Sequence, residues 1–181
     1  YTIFCDAISK CFAATGLRVG WLVAPPFIAQ KVKALTTHVG AWAPKPEQLA
    51  TARLLADDAA TTAFLTGFKG QIRARLDRIY DAFQGFKAEG LPVDAIAPEG
   101  AIYLSVYIGL QGAPGLPDVD AVRMYLLEEA GCAILPFAVF GDSENTGWWR
   151  FSVGAVSVDD IDACMARLGV ALRKVVGEAA R

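Results

Sequence analysis

The hydrophobic positions at the start of the chain predict two short strands separated by a loop of small residues. Residues 2–7 form a mostly apolar run that is typical of a buried strand. Residues 18–24 form a second such run. Pro25 and Pro26 follow it and suit the first turn of a helix. We therefore expect a strand, a loop, a second strand and then a helix.

Apolar residues next recur at helical spacing in three segments. Residues 27–38 predict one amphipathic helix, and Pro46 opens a second. Asp57 and Asp58 suit the cap of a third helix that extends to about residue 88. One face of this third helix is apolar: Phe64, Phe68, Ile72, Leu76, Ile79, Phe83 and Phe86. Because glycine weakens helices, we expect a kink or an interruption at one of three positions: Gly67, Gly70 or Gly85.

The pattern changes after Leu91, where short strands alternate with helices. Strands are predicted at 102–108, 133–135 and 148–153. Tyr103 and Tyr107 share one face of the first of these strands, and we expect them to fill the core. Of the adjacent Trp148 and Trp149, one should point into the core and the other away from it.

Two helices are predicted within this second part. Asp118 suits the cap of the first, and Gly131 suits its end. The segment from Ser157 to Asp160 resembles a capping box that opens the last helix. The best division of the chain falls in the long helical region, between residues 1–57 and an α+β unit at 58–181.

Composition narrows the possible functions. Apolar residues make up 54% of the 181 residues and charged residues 20%, with a net charge of −2. This is the composition of a soluble globular protein, and it gives no electrostatic reason to expect nucleic acid or an anionic membrane as partner. No apolar stretch is long enough to predict a transmembrane helix. The chain begins at Tyr1, directly before an apolar run, so we expect it to be part of a longer polypeptide.

The cysteines and the histidine indicate no metal site. The single histidine, His38, has no visible partner for a metal site or a catalytic triad. The four cysteines show no CxxC spacing. We expect them to be buried, reduced thiols in a cytoplasmic protein rather than metal ligands or disulfides.

The segment from Ser9 to Trp21 carries candidate chemistry. Lys10 follows a predicted strand, and a deprotonated lysine amine can form an imine with an aldehyde cofactor. Arg18 offers a planar set of donors that suits a phosphate. Gly16 and Gly20 let the backbone pass close to a ligand. Spacing alone leaves open a second interpretation, in which Lys10 and Arg18 are solvated surface charges.

This segment resembles the lysine signature of the class I/II aminotransferases, which are fold type I pyridoxal phosphate (PLP) enzymes. The pattern S-K-x-F-x-x-x-G-x-R-x-G-[YW] is matched by Ser9, Lys10, Phe12, Gly16, Arg18, Gly20 and Trp21. The resemblance implies that Lys10 binds PLP as a Schiff base and moves protons during catalysis. It also implies that Arg18, with Ser9, helps to bind the cofactor. Many members carry a second serine where this chain has Ala7, and alanine supplies no hydroxyl.

Two later segments are similar to the same family. Residues 97–104 resemble the P-x-G-[AG]-x-[FY] turn of the small domain, and residues 135–141 resemble its P-x-x-x-F-G segment. The strand after it carries Arg150, which the resemblance identifies as the ligand of the substrate α-carboxylate. A bidentate arginine–carboxylate pair would orient the substrate as well as attract it. From the residues alone, an exposed surface arginine is the other interpretation.

The resemblance implies an α/β fold of type I with the site in two parts. Residues 1–57 would be a strip of the large PLP-binding domain, whose strands lie in a mostly parallel sheet and would be poorly sheltered here. Residues 58–181 would be the small α+β domain, with a short mixed or antiparallel sheet. Other parts of the site would precede Tyr1, so we expect the chain alone to be inactive.

The implied function is a cytoplasmic, homodimeric aminotransferase that acts on an amino acid and a 2-oxo acid. Two alternatives stay open. One is another fold type I enzyme, such as a decarboxylase, lyase or synthase. The other is a PLP-binding effector domain of a transcription regulator. A chain that serves only as a structural unit is a third possibility.

Overall fold

The computed structural model describes residues 2–142 and 146–179, which fall into two compact units. The first unit ends at Gly70 and the second begins at Gln71. The described residues of the first unit form, in chain order, β1 (Phe4–Ala7), α1 (Ile8–Cys11), a 3-10 turn (Thr15–Leu17), β2 (Gly20–Val23), α2 (Pro26–Val39), α3 (Lys45–Leu55) and the start of α4 (Asp58–Ala88). The predicted strands and helices of this region are confirmed, with small shifts of their ends.

The two strands of the first unit pair antiparallel, with Ala7 opposite Gly20 and Phe4 opposite Val23. The parallel arrangement that we expected for these strands is therefore wrong for this pair. The physical reason is the short connection at residues 8–19, because a parallel pair needs a longer crossover, usually through a full helix. Phe4 is 52% and Val23 62% exposed, so the expectation that these strands are poorly sheltered within the chain is confirmed.

Helix α4 runs without a break from Asp58 to Ala88, so the interruption that we expected is wrong. Asp57 caps it, since its Oδ1 accepts a hydrogen bond of 2.9 Å from the Ala60 amide. Glycine lowers helix propensity by about 1 kcal/mol but does not end a helix by itself. Tertiary burial outweighs that cost in the second unit, where five residues of the helix are buried: Ile72, Leu76, Ile79, Phe83 and Phe86.

The second unit is an antiparallel sheet with helices, as predicted. Its described residues continue α4 and form β3 (Val93–Ala95), β4 (Tyr103–Ile108), α5 (Val119–Ala130), β5 (Leu135–Pro136), a 3-10 turn (Phe137–Phe140), β6 (Trp148–Ser152) and α6 (Val158–Ala179). The strand order is β3-β4-β6-β5, and every neighbouring pair is antiparallel.

The helix ends of the second unit confirm the predicted caps. Asp118 Oδ1 accepts a hydrogen bond of 2.8 Å from the Ala121 amide, and Gly131 ends α5 in the left-handed conformation. At α6, the Asp160 amide donates to Ser157 Oγ at 3.1 Å, and the Ser157 amide donates to Asp160 Oδ2 at 3.0 Å. This reciprocal pair is the predicted capping box, with aspartate in the place of the usual glutamate.

The faces of β4 and β6 decide which aromatic residues enter the core. Leu104, Val106 and Ile108 of β4 are buried, whereas Tyr103 is 44% exposed. The prediction that Tyr103 and Tyr107 fill the core is therefore wrong, because alternation along the strand gives the core face to the three aliphatic residues. Trp149 is buried and its neighbour Trp148 is only half-buried, as predicted.

The cysteines are less buried than predicted. Cys132 is buried, Cys11 and Cys164 are half-buried, and Cys5 is exposed, so the expectation of buried thiols is wrong for three of the four. Among residues 2–142 and 146–179, no three histidine, cysteine or acidic side chains lie close enough together to hold a metal ion. In the same ranges, no helix combines the length and the hydropathy that crossing a membrane requires.

Candidate active site

Lys10 lies in the one-turn helix α1, directly after β1 in the first unit. Its side chain is exposed among the described residues. Within the described chain, Lys10 Nζ makes no hydrogen bond or ion pair, and neither does the hydroxyl of Ser9. Both groups are therefore free to bind a ligand.

Packing on either side of Lys10 fixes the backbone that carries it. Ile8 is 2% exposed, and its amide donates to the Val19 carbonyl at 3.3 Å. Phe12 stacks on Phe64 with ring centroids 5.7 Å apart, and Phe64 stacks in turn on Phe68 at 5.7 Å. An apolar anchor therefore lies two residues before the lysine and another two residues after it. The backbone at Lys10 is thus held on both sides, while the side chain that carries the amine is exposed.

The thiol next to Lys10 is not a competing nucleophile. Cys11 Sγ donates a hydrogen bond of 3.0 Å to the Ala7 carbonyl. Burial raises the pKa of the Cys11 thiol, and the nearby charge of Asp6 raises it further. Because the thiolate is the nucleophilic form, Cys11 stays the protonated and less reactive neighbour.

Arg18 lies between the 3-10 turn and β2 in an uncommon backbone conformation. Its φ of 56° and ψ of 40° are left-handed, which costs energy for any residue other than glycine. One guanidinium nitrogen, Nη1, donates to the Thr15 carbonyl at 2.9 Å. The guanidinium makes no ion pair with any described residue. Its remaining donors are thus free for an anion.

Gly20 is required by the close approach of β1 and β2. A Cβ at Gly20 would lie 3.0 Å from the Asp6 carbonyl oxygen and 3.2 Å from Ala7 Cβ. Glycine at this position therefore lets β2 pair with the strand that leads into Lys10. A Cβ at Gly16 would have no atom within 4 Å, so packing within the described chain does not require glycine there.

Arg150 lies in β6 of the second unit, on the face opposite the core. Its partners in the sheet are Ser105 of β4 and Leu135 of β5. Its guanidinium carbon lies 5.2 Å from the ring centroid of Tyr103 and 4.4 Å from that of Phe140. No acidic side chain of the described residues pairs with it. The charge is thus held against two aromatic rings and keeps its hydrogen-bond donors available.

Sequence reasoning missed the two rings that hold Arg150. Tyr103 had been assigned to the core, and Phe140 carried no role of its own. Alternation along β4 would have revealed Tyr103, because the residues on either side of it in the pattern are aliphatic. Nothing local to Phe140 predicts its contact, which depends on the pairing of β5 with β6.

The structure therefore places Ser9 and Lys10 together on α1. Arg18 lies in the same first unit, just before β2, the strand that pairs with β1. Arg150 belongs to the second unit. Each unit thus presents an unpaired cationic side chain of the kind that binds anionic ligands.

Comparison with known proteins assigns the chain to a family. Residues 1–168 match the model of the family described as "Aminotransferase class I and II". A probable N-acetyl-LL-diaminopimelate aminotransferase of Bacillus subtilis is 30% identical over 92% of this chain and 39% of its own length. An aspartate aminotransferase of Musicola paradisiaca is 28% identical over 80% of this chain and 34% of its own length. The chain thus spans about two fifths of the length of these curated relatives.

Solved structures show the same fold. An aromatic aminotransferase of Pyrococcus horikoshii superposes with a TM-score of 0.82 at 24% identity, over 96% of this chain and 43% of that one. An aspartate aminotransferase of Rhizobium meliloti superposes with a TM-score of 0.81 at 22% identity, over 96% and 42%.

Proposed function

The chain belongs to the class I and II aminotransferase family, and on that premise we propose that it is part of a PLP-dependent enzyme that transfers an amino group from an amino acid to a 2-oxo acid. Its fold is that of the fold type I PLP-dependent aminotransferases, of which it forms a part. The observation that carries the proposal is the free amine of Lys10, at the lysine of the family's signature.

The residues of the first unit suit PLP. The cofactor carries an aldehyde, which condenses with an unprotonated primary amine, and a phosphate, which attracts cations. Lys10 offers the amine, Arg18 offers a guanidinium with free donors, and Ser9 offers a free hydroxyl. We propose that Lys10 holds the aldehyde carbon and that Arg18, with Ser9, holds the phosphate.

When bound, PLP supplies an electron-accepting ring that makes the Cα proton of an amino acid removable. We propose that Lys10 Nζ is also the general base that takes the Cα proton and later returns it. The fixed positions of Ile8 and Phe12 support this role, because proton transfer requires a base held within hydrogen-bond reach.

Arg150 is the proposed ligand of the substrate α-carboxylate. The guanidinium carbon lies over the rings of Tyr103 and Phe140, and the guanidinium donates no hydrogen bond to a described residue. A carboxylate can therefore bind along the edge with two parallel hydrogen bonds. Such binding would fix the orientation of the substrate. It would not distinguish one amino acid side chain from another, because the α-carboxylate is common to all of them.

The proposal extends to the amino acid only as a class. The relatives differ in the substrates that their names state, among them N-acetyl-LL-diaminopimelate and aspartate.

We further propose that residues 1–57 belong to the PLP-binding domain and 58–181 to the small domain of a cytoplasmic homodimer. Exposed apolar side chains on the first unit support a covering partner: Phe27, Leu35, Val39, Trp42 and Leu49. The 181 residues alone should be inactive, since they span about two fifths of the relatives' length.

Borohydride reduction of the full-length protein loaded with PLP tests the role of Lys10. Reduction should leave a stable pyridoxyl adduct at Lys10, located by peptide mass spectrometry. Lys10→Ala should abolish both the adduct and transamination. The matched control is Lys31→Ala, which removes an exposed lysine of α2 in the same unit and should change neither. An adduct at another lysine would refute the assignment.

Arg150 and the reaction type need separate measurements. Arg150→Lys should raise KM for the amino acid roughly 10- to 100-fold, the equivalent of a lost charge-assisted hydrogen bond. Arg75→Gln, a change of an arginine in the same unit that has no ion pair in the described chain, should leave KM unchanged.

Product formation should depend on an added 2-oxo acid, whereas turnover without an acceptor would indicate a decarboxylase or lyase instead.

A further inference from the structure

The sheet of the second unit has a hollow beside Arg150 to which no role has yet been given. The hollow has a volume of about 450 Å³ and lies where the chain passes from β3 into β4. Its walls are the connection at residues 96–101 and the first half of β4. Its volume falls in the range that is usual for small-molecule sites, so the side chain of an amino acid fits within it.

Strand pairing places this hollow next to Arg150. Ser105, which lines the hollow, lies opposite Arg150 in the pairing of β4 with β6, and opposite residues of an antiparallel pair share a face. On the other side of β4, the Ile96 amide donates to the Ser105 carbonyl at 3.0 Å. The ring of Tyr103 lines the hollow as well, and its centroid lies 5.2 Å from the guanidinium carbon of Arg150. A carboxylate bound to Arg150 would therefore hold the atoms attached to it at the edge of the hollow.

The walls of the hollow are mostly apolar and accessible. Ile96 is 57% exposed, and Pro98 and the ring of Tyr103 add further apolar surface. An apolar side chain that bound here would remove this surface from water, which favours binding. The hydroxyls of Tyr103 and Ser105 make no hydrogen bond within the described chain, and both groups are uncharged.

The charges at the hollow disfavour an acidic side chain. Glu99 is the charged residue among those that line it, and a carboxylate repels a second carboxylate. Arg73 lies nearby, since its Nη1 donates to the Pro98 carbonyl at 3.2 Å. Its charge is paired, however, because its Nε lies 2.7 Å from Asp77 Oδ2. The lining residues therefore offer no cation to the side-chain carboxylate of aspartate or glutamate.

We propose that this hollow binds the side chain of the substrate and selects amino acids whose side chains are apolar and uncharged, such as leucine and phenylalanine. The inference rests on the proposed role of Arg150, and it supplies the side-chain preference that binding of the α-carboxylate lacks. Ile96 and Tyr103 are the residues that determine this specificity, because they form the exposed apolar wall and the link to Arg150.

Substrate kinetics of the full-length protein loaded with PLP test the proposal. The values of kcat/KM for leucine and phenylalanine should exceed those for aspartate and lysine by about 10-fold or more. Ile96→Arg places a cation in the hollow and should lower the ratio of the leucine value to the aspartate value by about 10-fold. Val170→Arg is the control, because it adds the same charge at an exposed apolar position of α6 and should leave the ratio unchanged. A wild-type preference for aspartate or lysine, or an unchanged ratio in the Ile96 variant, would overturn the proposal.

Binding of two carboxylates that cannot be transaminated separates this inference from the proposed reaction. The compound 4-methylpentanoate is leucine without its amino group, and succinate is aspartate without its amino group. Titration calorimetry with the full-length wild-type protein should give 4-methylpentanoate a Kd about 10-fold lower than that of succinate. If no amino acid were transaminated, the proposed function would fail, whereas this comparison would still decide what the hollow binds. Equal Kd values, tighter binding of succinate, or no binding of either compound would refute the assignment of the hollow.

Discussion

The first and second units differ most in how far each buries its own apolar residues. The described part of the first unit has three buried residues, Ile8, Val19 and Thr51, while Phe27 is 65% and Val39 67% exposed. The second unit buries residues from its sheet and from all three of its helices. The ion pairs of the described chain also lie in the second unit.

This difference shows that helices and strands can have well-defined local structure in a unit that buries few of its residues. The first unit has a side-chain cap at the start of α4, two paired strands and packed residues on either side of Lys10, yet it buries only three of its described residues. Backbone hydrogen bonds, proline and glycine are sufficient for such local structure, whereas stability requires buried apolar area. The proposed cofactor residues therefore lie on the unit that depends on further contacts, and Arg150 lies on the unit that is packed by its own residues.

The largest expected effect comes from emptying the core of the second unit. Phe83 is fully buried, so Phe83→Ala should reduce the free energy of unfolding by about 3–5 kcal/mol. The matched change in the first unit, Phe27→Ala, should cost no more than about 0.5 kcal/mol in the 181-residue chain. Urea unfolding measures both. Equal losses would mean that Phe27 is buried in solution, and the contrast between the units would fail.

A smaller effect is expected where the first unit is tightly packed. Gly20→Ala places a Cβ 3.0 Å from the Asp6 carbonyl, so it should weaken the pairing of β1 with β2 by about 1–3 kcal/mol. Amide hydrogen exchange of β1 and β2 is the direct measurement. Gly16→Ala is the control, because its Cβ meets open space and protection should be unchanged. Faster exchange in the Gly16 variant alone would contradict this account of the loop.

Helix caps offer a third comparison. Asp118 caps α5 with a side-chain hydrogen bond, whereas α2 and α3 begin at prolines without one. Asp118→Ala should therefore lower the free energy of unfolding by about 1 kcal/mol, and Asp118→Asn should retain most of it. Thermal unfolding followed by circular dichroism distinguishes the two variants. If asparagine proved as harmful as alanine, the loss would not come from the cap.

The sequence predicted the elements because their signals are local. Asp118, Gly131 and the Ser157–Asp160 box each mark a helix end within a few residues, and the structure has the helices where these residues predict them. Lys10 and Arg18 were singled out in the same way, from one short signature.

What sequence reasoning did not provide depends on strand pairing and on contacts between distant elements. The direction of β1 against β2 and the rings around Arg150 both involve partners that are separated along the chain. One register shift would reverse which face of β4 enters the core. The error at Tyr103 was different, because the alternation along β4 is a local signal that places Leu104, Val106 and Ile108 on the opposite face.

The smallest expected effect is the acid sensitivity of the second unit. Hydrogen bonds from Arg78 lower the pKa of Asp162, and hydrogen bonds from Arg173 lower the pKa of Glu89. A carboxyl whose pKa is lower in the folded state contributes stability above its unfolded value, about 4, and loses it as the pH falls through the folded value. At pH values below about 4, the urea concentration at the midpoint of unfolding should therefore decrease. Asp162→Asn should make that decrease smaller. The control is Asp159→Asn on the same helix, because no described residue forms an ion pair with Asp159. An unchanged acid response in the Asp162 variant would show that this exposed pair contributes nothing measurable, and the contrast in ion pairs between the units would carry no energetic weight.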